Sequence, residues 1–239
     1  MDIKGRTVLI SGASRGLGHA LALAFAAAGA REVFAGARSS EDLARLPAEG
    51  LTPIKLDVTN EKDIAATQQL GVIDVLINNA GVAGYGNPVA MNLEDAVREM
   101  DVNYFGALRL SRTLAPQMIE RGEGMIVNIA TAFAKINLPL IGTYCASKAA
   151  LLSLGQALRA YLKDQGVHVM TVMPTTIDTD MAKGAEVPKM TTEFVAAEIL
   201  RHIREESIDP PIGEEAEGVL ESLRTDPLAL EKMLSSIRA

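Results

Sequence analysis

Thr7-Val8-Leu9-Ile10 is a short run of β-formers that enters Ser11-Gly12-Ala13-Ser14-Arg15-Gly16-Leu17-Gly18, and helical periodicity begins directly afterwards. Leu17, Leu21, Ala24, Phe25 and Ala28 fall on one helical face, and Gly29 is a stop signal. A buried strand, a glycine-rich turn and a helix in this order constrain a chain more than any other feature here. The first glycine permits a tight turn, and the next two let backbone approach a pyrophosphate and let the helix pack close to a sheet. The helix start then offers unpaired N–H groups and the positive end of its dipole to phosphate. Alone, such a turn fits a plain tight loop equally well, so the reading depends on the rest of the chain.

Strands and helices alternate beyond this turn. Glu32–Ala37, Pro53–Val58, Val72–Ile77, Met125–Ala130 and Val167–Val172, the last ending at Met173-Pro174, read as strands. Helical spacing runs from Leu93 to about Glu120, from Thr143 to Lys163 and from about Thr191 to Glu206, and Asn60 is placed to cap a helix after the third strand. Two short amphipathic pieces, Glu214–Leu223 and Pro227–Ile237, come after Asp209-Pro210-Pro211. Alternation of this kind predicts an α/β fold: a Rossmann-type, doubly wound parallel sheet flanked by helices. No repeat or interdomain linker interrupts it. We expect one domain over residues 1–239, with a short substrate loop at about 175–190 and a helical C-terminal extension at about 207–239.

The net charge of −7 and the absence of a Lys/Arg cluster argue against a nucleic-acid partner. Met1–Arg6 leads straight into the first strand without a signal-peptide core, and the longest apolar run, Ala20–Ala30, falls short of the roughly 20 residues that span a bilayer. Cys145 is the one cysteine, which excludes an internal disulfide and suits a reducing compartment. The expectation is a cytoplasmic protein with no membrane partner.

Two places carry chemistry. The second strand ends at Ala37, where an acidic residue would hold the 2′-hydroxyl of NAD, and Arg38 comes next. Arg15 in the glycine turn adds a second guanidinium, and Ser14 and Ser39 add hydroxyls; this set suits a 2′-phosphate and favours NADP(H). Tyr144 and Lys148, four residues apart, share one face of a helix. An ammonium beside a phenol favours the phenolate and lowers its pKa, so the pair can exchange a proton with a substrate oxygen. Tyr and Lys at this spacing also occur by chance. His19, His168 and His202 have no metal-ligand spacing, and His168 reads as a packed residue in an apolar strand. Asp178 and Asp180 read as a solvated loop, and Met173, Met181 and Met190 as an adaptable apolar wall or plain core.

Taken in order, Ser11–Gly18, Asp57-Val58, Asn78-Asn79-Ala80-Gly81, Asn103 in Asp-Val-Asn-Tyr, Tyr144 with Lys148, and Pro174 with Thr179 resemble the short-chain dehydrogenase/reductase family over roughly residues 5 to 205. The resemblance implies NADPH-dependent reduction of a ketone or aldehyde to an alcohol, or the reverse. It makes Tyr144 the general acid/base and has Lys148 lower the tyrosine pKa and bind the nicotinamide ribose. Asn103 would hold a helix bend and a water leading to Lys148. Thr131, thirteen residues before Tyr144 where the family usually has serine, would steady the substrate oxygen. Gly12, Ser14, Arg15, Gly16, Leu17, Gly18, Arg38, Asp57, Val58, Asn79, Ala80, Gly81, Pro174 and Thr179, with Tyr144 and Lys148, would contact the dinucleotide. Asp57 and Val58 would face the adenine, Asn79 and Gly81 its ribose, and Pro174 and Thr179 the nicotinamide.

The chain departs from the family at Ser11 (usually threonine), at Thr175 (usually glycine) and in lacking an Asp-Gly-Gly ending, which leaves the last strand open. The resemblance also implies a homodimer or homotetramer packed through the 93–120 and 143–163 helices. An NADP-binding sensor or scaffold with little turnover is the alternative. Reduction of a C=C bond is disfavoured by the close Tyr/Lys spacing. The absence of arginine between Thr175 and Met190 favours a compact, uncharged carbonyl substrate.

Overall fold

The computed structural model describes residues 1–236. In chain order the main elements are β1 Thr7–Ile10, α1 Gly16–Ala27, β2 Glu32–Ala37, α2 Ser40–Arg45, β3 Thr52–Lys55, α3 Glu61–Ala66, β4 Val75–Asn78, α4 Leu93–Met100, α5 Gly106–Arg121, β5 Gly124–Ile129, α6 Gly142–Leu162, β6 Val167–Pro174, α7 Thr192–Arg204, β7 Pro211–Ile212, α8 Glu214–Thr225 and α9 Pro227–Ser235. The strands form one seven-stranded sheet in the order β3-β2-β1-β4-β5-β6-β7, and every pairing is parallel. Strand order reverses between β1 and β4, so the crevice outside their C-terminal ends is where an open sheet of this type holds a ligand.

The central strands are buried on both faces, as their continuous apolar runs require. Alternate side chains feed two cores. Val8, Ile10, Val33 and Ile77 pack with Phe25 of α1 and Ile199 of α7 on one face. Leu9, Phe34, Leu76 and Ile126 pack with Leu110 and Leu114 of α5 on the other. Asn60 caps α3 as expected, accepting from Lys62 and Asp63 N–H groups at 2.9 and 3.2 Å.

Four differences from the sequence reading have local causes. The 93–121 helix is not continuous: a wide π-type turn at Asp101–Phe105 separates α4 from α5. β4 begins at Val75 rather than Val72, because Val72 is exposed and the Ile73 N–H goes to the Gln117 side chain at 3.2 Å. His168 is exposed, not packed, and faces Glu206 at 3.5 Å. The last strand is present but only two residues long: Pro211 and Ile212 pair with Met173 and Pro174 at the sheet edge, where a proline costs no ladder bond. Beyond it, α8 and α9 fold back together onto Ala132, Phe133 and Leu138, at the C-terminal end of β5. The expected end of the last helix, Ile237, lies outside the described residues.

Candidate active site

The glycine turn is strapped to the end of β4. The Ser11 hydroxyl, 1% exposed, accepts from the Asn79 and Ala80 N–H groups at 3.1 and 3.0 Å and donates to the Ile77 carbonyl at 3.3 Å. The Asn79 amide donates to the Ser11 and Gly12 carbonyls, each at 3.0 Å, so this side chain holds the turn as well as lining the cleft. A side chain on Gly18 would stand 2.2 Å from the Gly12 carbonyl oxygen, which is why glycine is required where α1 meets the turn. Gly12 itself has φ +67°, a left-handed conformation that glycine adopts without strain. No side chain caps the start of α1. Its first N–H groups therefore point unpaired into a cleft of about 790 Å³, as a pyrophosphate site needs.

That cleft is lined by Gly12, Ser14, Arg15, Gly16, Leu17 and Gly18 from the turn, Arg38 after β2, Asp57 and Val58 after β3, Asn79, Ala80 and Gly81 after β4, and Thr179. Burial pushes the Asp57 carboxyl up, but hydrogen bonds from the Thr59 N–H and O–H and the fields of Arg38 and Lys55 outweigh it, and the net shift is downward. Arg15 pairs with Asp180 at 3.2 Å. Ser39 is committed elsewhere: it accepts from the Asp42 N–H at 3.1 Å as the cap of α2 and donates to the Asp42 carboxylate at 2.7 Å. Asp42 and Asp180 thus bring carboxylates to the rim beside the two arginines, which the sequence reading did not anticipate.

Lys148 is 4% exposed, and its Nζ donates to the Ile129 carbonyl at 2.7 Å and lies 5.8 Å from the centre of the Tyr144 ring. Burial pulls its pKa down to about 8. Burial also raises the Tyr144 phenol above its ordinary value, with Cys145, Tyr85 and Glu99 adding in the same direction, opposite to the lowering expected from Lys148. Asn103 sits in the π-type turn, 1% exposed. Its Oδ1 accepts from Val82 N–H at 2.9 Å, and its Nδ2 donates to Val82 O at 2.9 Å and to Ser147 Oγ at 2.8 Å. Asn103 lines neither cavity; it buttresses α6 beneath Tyr144 and Lys148. Thr131 accepts from the Phe133 N–H at 3.3 Å, which occupies its oxygen and leaves its O–H to donate. Cys145 is buried, and burial raises its thiol pKa, so it is inert.

Tyr144, Lys148, Thr131 and Pro174 line a second cavity of about 670 Å³. Leu17, Asn79 and Thr179 line both cavities and join them. Its walls are mostly apolar, and many belong to α8 and α9: Val219, Leu230, Met233 and Leu234. Sequence reasoning missed these, because an amphipathic helix shows that one face is buried but not against what. Of the three methionines considered, Met181 lines the cavity, Met173 is core and Met190 packs against the main core. Among the described residues no cluster has the makeup of a metal site, and no helix is long and apolar enough to cross a membrane.

A doubly wound sheet with an open phosphate cradle at its switch point, beside a tyrosine–lysine pair in an apolar cavity, defines a Rossmann-type fold. The family model for short chain dehydrogenases matches residues 6–189, and the chain belongs to that family. It is 34% identical over 198 residues to a dehydrogenase/reductase SDR family protein 7-like of Anopheles gambiae, covering 77% of this chain and 62% of that one. It is 37% identical over 179 residues to an NADPH-dependent 1-acyldihydroxyacetone phosphate reductase of Schizosaccharomyces pombe, covering 72% and 60%. The chain thus spans about three-fifths of the length of these curated relatives. A short chain dehydrogenase from Burkholderia cenocepacia, solved in complex with NADP, superposes with TM-score 0.93 at 33% identity, over 98% of this chain and 99% of that one.

Proposed function

We propose that this protein is an NADP(H)-dependent reductase that interconverts a ketone or aldehyde with an alcohol. One observation carries the reading: Tyr144, Lys148 and Thr131 line one apolar cavity that shares walls with the phosphate-binding cleft. The start of α1 would hold the pyrophosphate, Arg15 and Arg38 the 2′-phosphate, Asp57 and Val58 the adenine, Asn79, Ala80 and Gly81 its ribose, and Pro174 and Thr179 the nicotinamide. The naming of the S. pombe relative for NADPH and the NADP in the B. cenocepacia structure support this preference.

When bound, the nicotinamide supplies or accepts the hydride. The chain's own residues manage the oxygen. Burial keeps the Tyr144 phenol protonated, so it stands as the acid for a carbonyl oxygen gaining charge. The buried Lys148 ammonium stabilises the phenolate that results. Thr131 donates a hydrogen bond to the same oxygen, and the surrounding apolar walls exclude water. The reverse direction uses the same groups in reverse order. The exposed apolar side chains of Leu93 and Val97 on α4, Phe105 after it and Tyr161 on α6 support a homodimer or homotetramer built on these helices.

The test is oxidation of NADPH and of NADH over a panel of ketones and aldehydes, with the wild type and Tyr144→Phe. Turnover that favours NADPH and collapses in the variant while nucleotide binding persists is expected. Turnover indifferent to Tyr144 overturns the mechanism. Tight NADPH binding with no turnover in either protein favours the sensor reading.

A further inference from the structure

We propose that the cavity takes elongated, apolar carbonyl compounds whose far end is neutral or cationic, and that Glu215 and Gly218 of α8 set this preference. The assignment rests on the reductase reading for its chemistry at Tyr144, and on the cavity alone for its shape and charge.

A volume of about 670 Å³ lies within the range of roughly 300–1,000 Å³ that holds ligands of drug size, well beyond a compact ketone. Leu138, Ile141, Val219, Leu230 and Met233 line it, and Leu138, Val219 and Leu230 pack with Ala132, next to Thr131. A carbonyl compound seated at Tyr144 therefore extends an apolar tail beneath α8 and α9. Among the described lining residues Lys148 is the one cation, and its ammonium is committed at the reacting end to the Ile129 carbonyl at 2.7 Å. Glu215 is the one carboxylate, and it stands exposed at the rim in the first turn of α8. An anionic far end would be desolvated against leucines and meet Glu215; an ammonium would be attracted.

Gly218 supplies an independent observation. It lies in the middle of α8, where glycine is a poor helix former, and it lines the cavity. A side chain built there has nothing within 4 Å, so no packing contact demands glycine. Gly218 is exposed, so a side chain there has room at the cavity mouth. The structure thus gives a cavity-lining helix position at which glycine serves no packing contact and a larger side chain would narrow the entrance.

The experiment uses the full chain and a matched set of methyl ketones: one short, one with a long alkyl tail, and three of the same length ending in trimethylammonium, carboxylate or phosphate. Turnover is read with NADPH, and binding separately by calorimetry on protein saturated with NADP⁺. Affinity should rise with tail length by up to about fourfold per methylene until the wall is reached. The ammonium should bind better than the carboxylate by about fivefold, and Glu215→Lys should abolish or reverse that ratio. Gly218→Leu, which favours the helix and so folds, should lower kcat/KM for the long ketone about tenfold and for the short one much less.

A long ketone no better than a short one, a preference for the carboxylate or phosphate, or a ratio unmoved by Glu215→Lys overturns the assignment. Length-dependent binding without turnover would sink the reductase reading and leave the cavity assignment standing. Tyr144-dependent turnover without length dependence would do the opposite. No binding of any member overturns the assignment outright.

Discussion

The Lys148 ammonium lies 5.8 Å from the centre of the Tyr144 ring, one helical turn along α6, and is held there by the Ile129 carbonyl at 2.7 Å. Holding a cation in a buried place is costly, and its pKa falls from 10.5 to about 8. Below pH 8 the folded protein carries that charge at a cost of about 3 kcal/mol relative to the unfolded chain. Between pH 8 and 10.5 the folded state has released the proton while the unfolded chain still binds it, so stability rises with pH across that window. Lys148→Met removes both the cost and the dependence. The nucleotide-free variant should be inactive yet more stable near pH 7, by up to about 3 kcal/mol. Urea midpoints near pH 7 and pH 10 decide it. Parallel pH profiles for the two proteins would sink the idea.

Gly81 separates Asn103 from Lys148. A Cβ added there would stand 3.3 Å from Asn103 Oδ1 and 3.4 Å from Lys148 Nζ. Both atoms are pinned, Asn103 by Val82 and Ser147 and Lys148 by Ile129, so neither gives way easily. A methyl there would press on the two groups and shift Lys148 from its place beside Tyr144. Gly81→Ala should therefore lower kcat about tenfold or more, and weaken NADPH binding by a smaller factor because Gly81 also lines the cleft. Single-turnover rates beside nucleotide titrations separate the two effects. An unchanged kcat would mean that the methyl is accommodated without moving Lys148.

Arg15 and Asp180 pair at 3.2 Å between the glycine turn and the substrate loop, with both side chains largely exposed. An exposed pair of this kind contributes at most about 1 kcal/mol. Asp180 would nevertheless compete with a 2′-phosphate for the same guanidinium. Asp180→Asn should tighten NADPH binding about two- to fivefold at low salt, with the gain shrinking as salt rises. NADH, which lacks the phosphate, should not respond. Equal tightening of both nucleotides would mean that Asp180 acts on the loop alone.

Much of this could be read from the chain before folding. β1 and β2 begin and end where their apolar runs do, because both are central strands whose side chains have only core to enter. Tyr144 and Lys148 fall together because helical spacing leaves no alternative. Less was legible where a local pattern does not name its partner. The turn at Asp101–Phe105 has no distinguishing composition, and the Val82 and Ser147 bonds of Asn103 are what bring it inward. His168 sits in an apolar strand yet emerges beside Glu206, a residue far along the chain. Ser39 looked free for phosphate until α2, which it caps, was seen to bring Asp42 to its hydroxyl. The walls contributed by α8 and α9 depend wholly on where the two-residue β7 turns the chain back over β5.

Ser11 is the residue through which the fold and the cleft depend on each other. Its hydroxyl is the acceptor for two backbone N–H groups, those of Asn79 and Ala80, at 3.1 and 3.0 Å, and it also reaches the Ile77 carbonyl at 3.3 Å. Ser11→Ala leaves the Ala80 N–H without a partner at a site 1% exposed, while the Asn79 N–H keeps the Ile77 carbonyl at 3.1 Å, and this should cost about 1–3 kcal/mol. For a domain of this size that is a drop in Tm of roughly 2–12 °C. The same change loosens Asn79, whose amide holds the Gly12 carbonyl at 3.0 Å, so NADPH binding should weaken along with stability. Ser11→Thr keeps the hydroxyl and should restore both. Thermal melts and nucleotide titrations on the two variants provide the check. If Ser11→Ala melts and binds like the wild type, the strap between β1 and β4 resides in the Asn79 side chain alone.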